Sequence, residues 1–135
     1  MTTARTIVED ALREIEQLAT GETPTDSEAQ DALRVCNRMI HSWDLEGVCV
    51  GHTDWTLTST VTLPHNHEMG LVALLAVSLA PGFGVTVHPL TAQTARRTKR
   101  QLVTEYADVR RLEHDPGITN FDRNMQSYNI DTDQF

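Results

Sequence analysis

Apolar residues at three- and four-residue spacing predict a first helix near the start of the chain. These positions are Val8, Ala11, Leu12, Ile15, Leu18 and Ala19. Gly21 is expected to end the helix, because glycine readily adopts the left-handed conformation of a C-terminal cap, and Pro24 prevents the helix from resuming. The first predicted element is therefore an amphipathic helix that buries one face.

A second helix is predicted to begin at Thr25 and to stop at Gly47. Thr25 and Glu28 have the spacing of a capping box, in which the two side chains each bond the other residue's backbone amide. The apolar positions that follow alternate steps of four and three: Ala29, Leu33, Cys36, Ile40 and Trp43. Cys36 is accordingly interpreted as a small core residue and not as a reactive thiol.

The apolar period changes to two between residues 55 and 63, where threonine occupies every even position. Strict alternation predicts a half-buried strand, or a hairpin bent at 58–60. Val48 and Val50 offer a short partner strand. We therefore expect a β excursion over 48–63, between the second and third helices.

Two further helices are predicted after this excursion. The third, from about Asn66 as its cap to Ala80, is apolar on almost all sides, which is typical of a helix buried in the middle of a domain. The fourth is expected from about 89–91 to Leu112, with Lys99 interrupting its stripe. That stripe consists of Ala92, Ala95, Leu102, Tyr106 and Val109.

Residues 115–135 show no sustained period and are rich in polar side chains. Their isolated apolar residues are Ile118, Phe121, Tyr128, Ile130 and Phe135. A polar segment with spaced apolar anchors is expected to be disordered alone and to dock on a partner. The sequence thus predicts a mainly α fold, a four-helix bundle over 1–114 with a short β excursion, followed by an extended C-terminal tail.

The net charge of −8 is divided unevenly along the chain. Residues 1–68 carry four basic and twelve acidic side chains, 69–114 carry six and three, and 115–135 carry one and four. This balance argues against a protein that wraps nucleic acid by bulk attraction. The basic residues concentrate at Arg96, Arg97, Lys99, Arg100, Arg110 and Arg111.

Two interpretations of this basic stretch remain open. It is a solvated helix face that pairs with the acidic first half of the chain, in the same subunit or in a neighbouring copy. Alternatively, it contacts an acidic partner, or nucleic-acid phosphates as in a small DNA-binding regulator that uses residues 96–111.

Motifs for catalysis or membrane insertion are weak. Cys49, His52, His65 and His67 match no common zinc spacing, which leaves a metal-dependent hydrolase at the three histidines as a minor hypothesis. The sequence contains no nucleophile elbow, Walker lysine or dinucleotide-binding fingerprint. The longest apolar stretch, residues 69–80, falls short of the roughly 20 residues of a membrane span. We therefore expect neither an enzyme, a cofactor nor a membrane partner.

Several stretches, taken together in their order and spacing, carry a resemblance to a known family. They are Arg5-Thr-Ile-Val-Glu-Asp-Ala-Leu-Arg13, Gly21-Glu-Thr-Pro24, Asp31-Ala-Leu-Arg34 with Asn37-Arg38-Met39 and Ser42-Trp43, Leu71 through Pro81 with Phe83-Gly84-Val85, and the basic helix around Ala95–Lys99. Over residues 3–112 the chain resembles the tail accessory factors, or head-to-tail adaptor proteins, of short-tailed bacteriophages.

The resemblance implies a four-helix bundle whose copies form a ring, commonly dodecameric, beneath the portal protein. Such a ring extends the DNA channel and offers an attachment surface to a tail or nozzle protein, while genomic DNA passes without sequence-specific binding. It places the protein in the virion neck, and in the host cytoplasm during assembly. It also implies that the tail at 115–135 docks on the portal. Because a ring subunit needs two complementary surfaces, we expect a basic face to lie between subunits or to face the channel, formed by Arg96, Arg97, Arg100, Arg110 and Arg111.

Overall fold

Four α-helices form the described part of the chain, residues 2–107 of the computed structural model. In chain order they are α1 (Ala4–Glu14), α2 (Asp26–Leu45), α3 (Glu68–Phe83) and α4 (Pro89–Tyr106). A short 3-10 turn, His65–His67, leads directly into α3. The prediction of a mainly helical fold with four helices is confirmed.

Helix α3 lies at the centre of the fold and packs against each of the other three helices. Leu71 and Leu75 of α3 are almost fully buried, together with Trp43 of α2 and Leu12 of α1. Contact with three helices accounts for the buried apolar residues of α3, whereas Met69, Val77 and Phe83 of the same helix are exposed. Among residues 2–107, none of the helices combines the length and hydropathy needed to cross a bilayer.

Helix α2 begins and ends as its sequence predicts. The Thr25 hydroxyl accepts a hydrogen bond from the Glu28 amide, and the Glu28 carboxylate accepts one from the Thr25 amide. The hydrogen bonds donated by Thr25 hold the pKa of Glu28 below its usual value. Gly47, with φ of +80°, follows the last turn. Cys36 is a buried core residue, and burial raises the pKa of its thiol to about 12.

Helices α1 and α4 end earlier than predicted. The chain leaves α1 at Ile15 instead of near Gly21, because Glu16 adopts a left-handed conformation with φ of +58° and closes the last turn. Helix α4 ends at Tyr106, since Ala107 is extended and pairs with Val48. The predicted continuation of α4 to Leu112 lies outside the described residues.

The segment between α2 and α3, residues 46–64, does not form the predicted strand. Within residues 2–107 the structure has only two isolated bridges, Thr3 with Thr60 and Val48 with Ala107. Val48 therefore pairs elsewhere, and the Thr56 hydroxyl and amide bond the Ser59 hydroxyl in a turn. The alternation reports burial correctly: Trp55, Val61 and Leu63 are buried, and Leu57 is half-buried.

The start of α3 also differs from the prediction. Asn66 lies in the 3-10 turn and does not cap the helix, and His67 occupies the cap position without a capping side-chain bond. The first-turn carboxylate of Glu68 accepts hydrogen bonds from Thr2 (2.8 Å) and His65 (2.7 Å). Burial opposes ionisation of Glu68, but these hydrogen bonds outweigh it and lower the pKa of its carboxyl.

Candidate interaction surface

Helix α4 is oriented by three buried residues on its inner side, Ala95, Thr98 and Leu102. Thr98 packs directly over Gly70 of α3, where a Cβ atom would overlap the threonine side chain. This close approach of the two helices requires glycine at position 70. The remaining side of α4 is thereby turned towards solvent.

Lys99, which interrupts the apolar stripe of α4, is explained by its contacts with α2. Its ammonium lies 4.7 Å from the centre of the Trp43 ring and 3.1 Å from the Glu46 carboxylate. Only 22% of its side chain is exposed. A cation over an aromatic face with a carboxylate beside it is a stabilising arrangement. The ammonium of Lys99 thus attaches α4 to the end of α2.

Arg96, Arg97 and Arg100 form the exposed outer side of α4, which we term the basic face. Within residues 2–107, no carboxylate lies within ion-pair distance of any of the three. In contrast, Arg5 and Arg13 of α1 each pair with carboxylates. The three guanidinium groups are therefore available to an anionic partner. Arg110 and Arg111, predicted to extend this surface, lie outside the described residues.

An apolar groove between α3 and α4 adjoins the basic face. It is lined by Leu74, Val77, Ala92, Ala95, Arg96, Lys99 and Arg100. Val77 is 38% exposed there. A partner that carries both carboxylates and apolar side chains would match this combination, since guanidinium groups bind carboxylates through paired hydrogen bonds.

Exposed carboxylates lie between the end of α1 and the first half of α2. We term Glu16, Glu22, Asp26 and Asp31 the acidic edge. Asp26 and Asp31 pair with Arg5 and Arg34, respectively. None of the four lies within ion-pair distance of the basic face in the described chain. Within residues 2–107, the predicted pairing between the acidic first half and the basic stretch of one subunit is therefore limited to Lys99 and Glu46.

The histidines considered for a hydrolase are not brought together. His65 bonds Glu68, and His67 bonds Glu105 near the end of α4 at 2.7 Å. His52 instead lies beside His41 and Asp54, two residues that the sequence analysis did not single out. No spacing motif marks this group, because His41 belongs to α2 whereas His52 and Asp54 lie in the 46–64 segment.

The predicted portal-docking residues, Ile118, Phe121, Tyr128, Ile130 and Phe135, lie outside the described residues. The exposed basic face and its adjoining groove are thus the candidate interaction surface of residues 2–107. In comparisons with known proteins, no protein-family model, no curated protein and no solved structure matches the chain.

Proposed function

We propose that the protein is a structural head-to-tail adaptor of a short-tailed bacteriophage virion. It forms a ring beneath the portal protein, extends the DNA channel and offers an attachment surface to a tail or nozzle protein. It acts in the virion neck after assembly in the host cytoplasm. The proposal is supported by the resemblance over residues 3–112 and by a helical fold with an exposed charged surface.

The observation that carries the proposal is the basic face, whose three arginines have no carboxylate partner within the described chain. The acidic edge provides opposite charge on the α1–α2 connection and the start of α2, whereas the basic face lies on α4. A head-to-tail ring requires two different, complementary surfaces on each subunit. We infer that the basic face of one copy contacts the acidic edge of the next.

The other two partners are assigned to the remaining segments. The tail at 115–135 docks on the portal through its spaced apolar residues, at an entropic cost that is typical of segments that order on binding. The 46–64 segment, between α2 and α3, contributes to the surface that receives the tail or nozzle protein. Genomic DNA passes through the channel without sequence-specific binding.

A charge-swap experiment tests the ring contact. Reversing the basic face (Arg96→Glu, Arg97→Glu and Arg100→Glu) should abolish ring formation on the portal, as should reversing Glu16, Glu22 and Asp31 of the acidic edge to lysine. Both reversals in one chain should restore rings, because opposite charges again face each other. Negative-stain images of the protein mixed with its portal provide the measurement.

Arg38→Glu is the matched control, because Arg38 is also an exposed helical arginine without an ion pair in residues 2–107. It should leave ring formation unchanged. Rings that persist with either reversed surface would exclude this contact, whereas loss of rings in the Arg38 control would show that net charge alone matters.

The tail assignment is tested separately. Deleting residues 115–135 should leave the helical fold intact by circular dichroism and abolish binding to the portal. Unchanged portal binding would contradict the assignment of the tail.

The exposed arginines also favour a second candidate, a small DNA-binding regulator that uses residues 96–111. A mobility-shift assay over a range of salt concentrations distinguishes the two. Tight binding with sequence preference and a steep salt dependence would support the regulator. Weak binding without sequence preference is expected of the adaptor.

A further inference from the structure

Three side chains with metal-binding chemistry meet between α2 and the 46–64 segment. They are His41 on α2 and His52 and Asp54 on the segment, and one donor atom of each lies within 4.8 Å of the others. The His41 Nε2 and the Asp54 Oδ1 are 2.7 Å apart. The two imidazole rings are in edge contact, with centres 4.9 Å apart. This group is independent of the basic face and of the adaptor proposal.

The hydrogen bonds of Asn37 determine how His52 is presented. Asn37 is oriented by the backbone of Trp55, which accepts from its Nδ2 and donates to its Oδ1, both at 3.1 Å. The Asn37 Oδ1 is therefore an acceptor, and the His52 Nε2 that lies 3.1 Å from it must donate. In the neutral ring the proton is on Nε2, and Nδ1 carries the free lone pair.

The Nδ1 atom of His52 is buried, and within residues 2–107 no hydrogen-bond donor reaches it. An unsatisfied buried acceptor is costly and rare in a folded protein. A histidine whose other nitrogen donates to a fixed oxygen is the arrangement found around bound metal ions.

We propose that His41, His52 and Asp54 bind a divalent transition-metal ion of the zinc, nickel or copper class. Two imidazoles and one carboxylate suit these ions, whereas magnesium and calcium prefer oxygen ligands throughout. Tetrahedral zinc with bonds near 2.0–2.1 Å places its donors about 3.4 Å apart. Binding at this spacing requires the exposed side chains of His41 and Asp54, whose donor atoms are 2.7 Å apart, to separate slightly, while Asn37 holds His52 in place. The ion cross-links α2 to the 46–64 segment.

Zinc titration of the full-length chain by isothermal calorimetry tests the site. One ion should bind per chain, and zinc should raise the unfolding temperature, because a ligand of the folded state stabilises it. Since losing even an outer partner of a metal ligand costs about 10- to 100-fold in affinity, His41→Ala, His52→Ala and Asp54→Asn should each weaken binding at least about ten-fold. Copper(II) electron paramagnetic resonance should show coupling to two imidazole nitrogens, and to one in His41→Ala.

Two control variants test whether other side chains that can bind metal account for the zinc affinity. His65→Ala removes an exposed histidine that bonds Glu68, and Cys49→Ser removes the exposed thiol. Neither should change zinc affinity. Failure of the wild-type chain to bind zinc would overturn the proposal, as would an equal loss of affinity in either control. Because His41 and Asp54 are exposed, their variants are expected to fold, and circular dichroism verifies this independently of binding.

Discussion

Helices α3 and α4 pack against each other but use their side chains differently. Seven of the sixteen residues of α3 are buried, against three of the eighteen in α4. Helix α3 therefore provides the centre of the core, whereas α4 covers it with a narrow inner strip and keeps a charged outer side. The difference indicates that the outer side of α4 can change with little effect on folding, which is what an interaction surface requires.

The largest effect is expected from shortening a core side chain of α3. Leu75 is completely buried, so Leu75→Ala should lower the free energy of unfolding by about 2–5 kcal/mol through lost burial and a residual cavity. Leu90→Ala deletes the same atoms from α4, where the side chain is 66% exposed, and should change it by less than about 0.5 kcal/mol. Urea denaturation monitored by tryptophan fluorescence measures both. Equal losses would remove the distinction between the helices.

A pair of glycine substitutions in α3 tests how closely α4 packs against it. Gly70→Ala introduces a Cβ that overlaps Thr98, and overpacking of this kind should lower the free energy of unfolding by about 1–3 kcal/mol. Gly82→Ala, in the same helix but with no atom within 4 Å of the new Cβ, should be neutral or stabilise by about 0.5–1 kcal/mol. A neutral Gly70→Ala in the same urea assay would show that α4 moves away from α3 at little cost.

The helices were predictable from sequence because a period of 3.6 reports which face is buried. The ends of α1 and α4 were not, since they depend on single conformations such as the left-handed Glu16 and the bridge from Ala107 to Val48. Alternation over 55–63 also reported burial correctly. It did not specify a strand, because a ladder requires a neighbouring strand, and Val48 pairs with Ala107 instead.

The candidate surface was partly predictable. The exposed arginines of α4 follow from helical spacing, but the inward role of Lys99 depends on Trp43 and Glu46, which belong to a different helix. The grouping of His41 with His52 was beyond sequence reasoning, because it results from the way the 46–64 segment folds back onto α2. Contacts between distant residues leave no local period.

Breaking the attachment of α4 to α2 is expected to have an intermediate effect on the free energy of unfolding. Lys99→Met keeps the aliphatic stem but removes the cation over Trp43 and the ion pair with Glu46, and should lower this free energy by about 1 kcal/mol. Arg97→Met, on the basic face, should lie within about 0.5 kcal/mol of the wild type. Raising the salt concentration should reduce the Lys99 effect, because half-exposed ion pairs are screened. An equal loss in both variants by urea denaturation would contradict the separation of Lys99 from the basic face.

The smallest expected effect on stability comes from the first turn of α3. This turn contains the carboxylate of Glu68, whereas the first turn of α4 has no acidic residue. The folded state lowers the pKa of Glu68, so its ionised form stabilises the protein above the usual carboxyl range, and this stabilisation is lost as the pH falls through the lowered value. Glu68→Gln should therefore destabilise the protein slightly at neutral pH, with a difference that disappears in acid. Thr2→Val removes one hydrogen bond but keeps the charge, and should reproduce part of the difference. Thermal unfolding between pH 7 and pH 3 measures the difference of each variant from the wild type. A difference that grows in acid would contradict the lowered pKa of Glu68, because the folded state would then bind the proton more tightly than the unfolded chain.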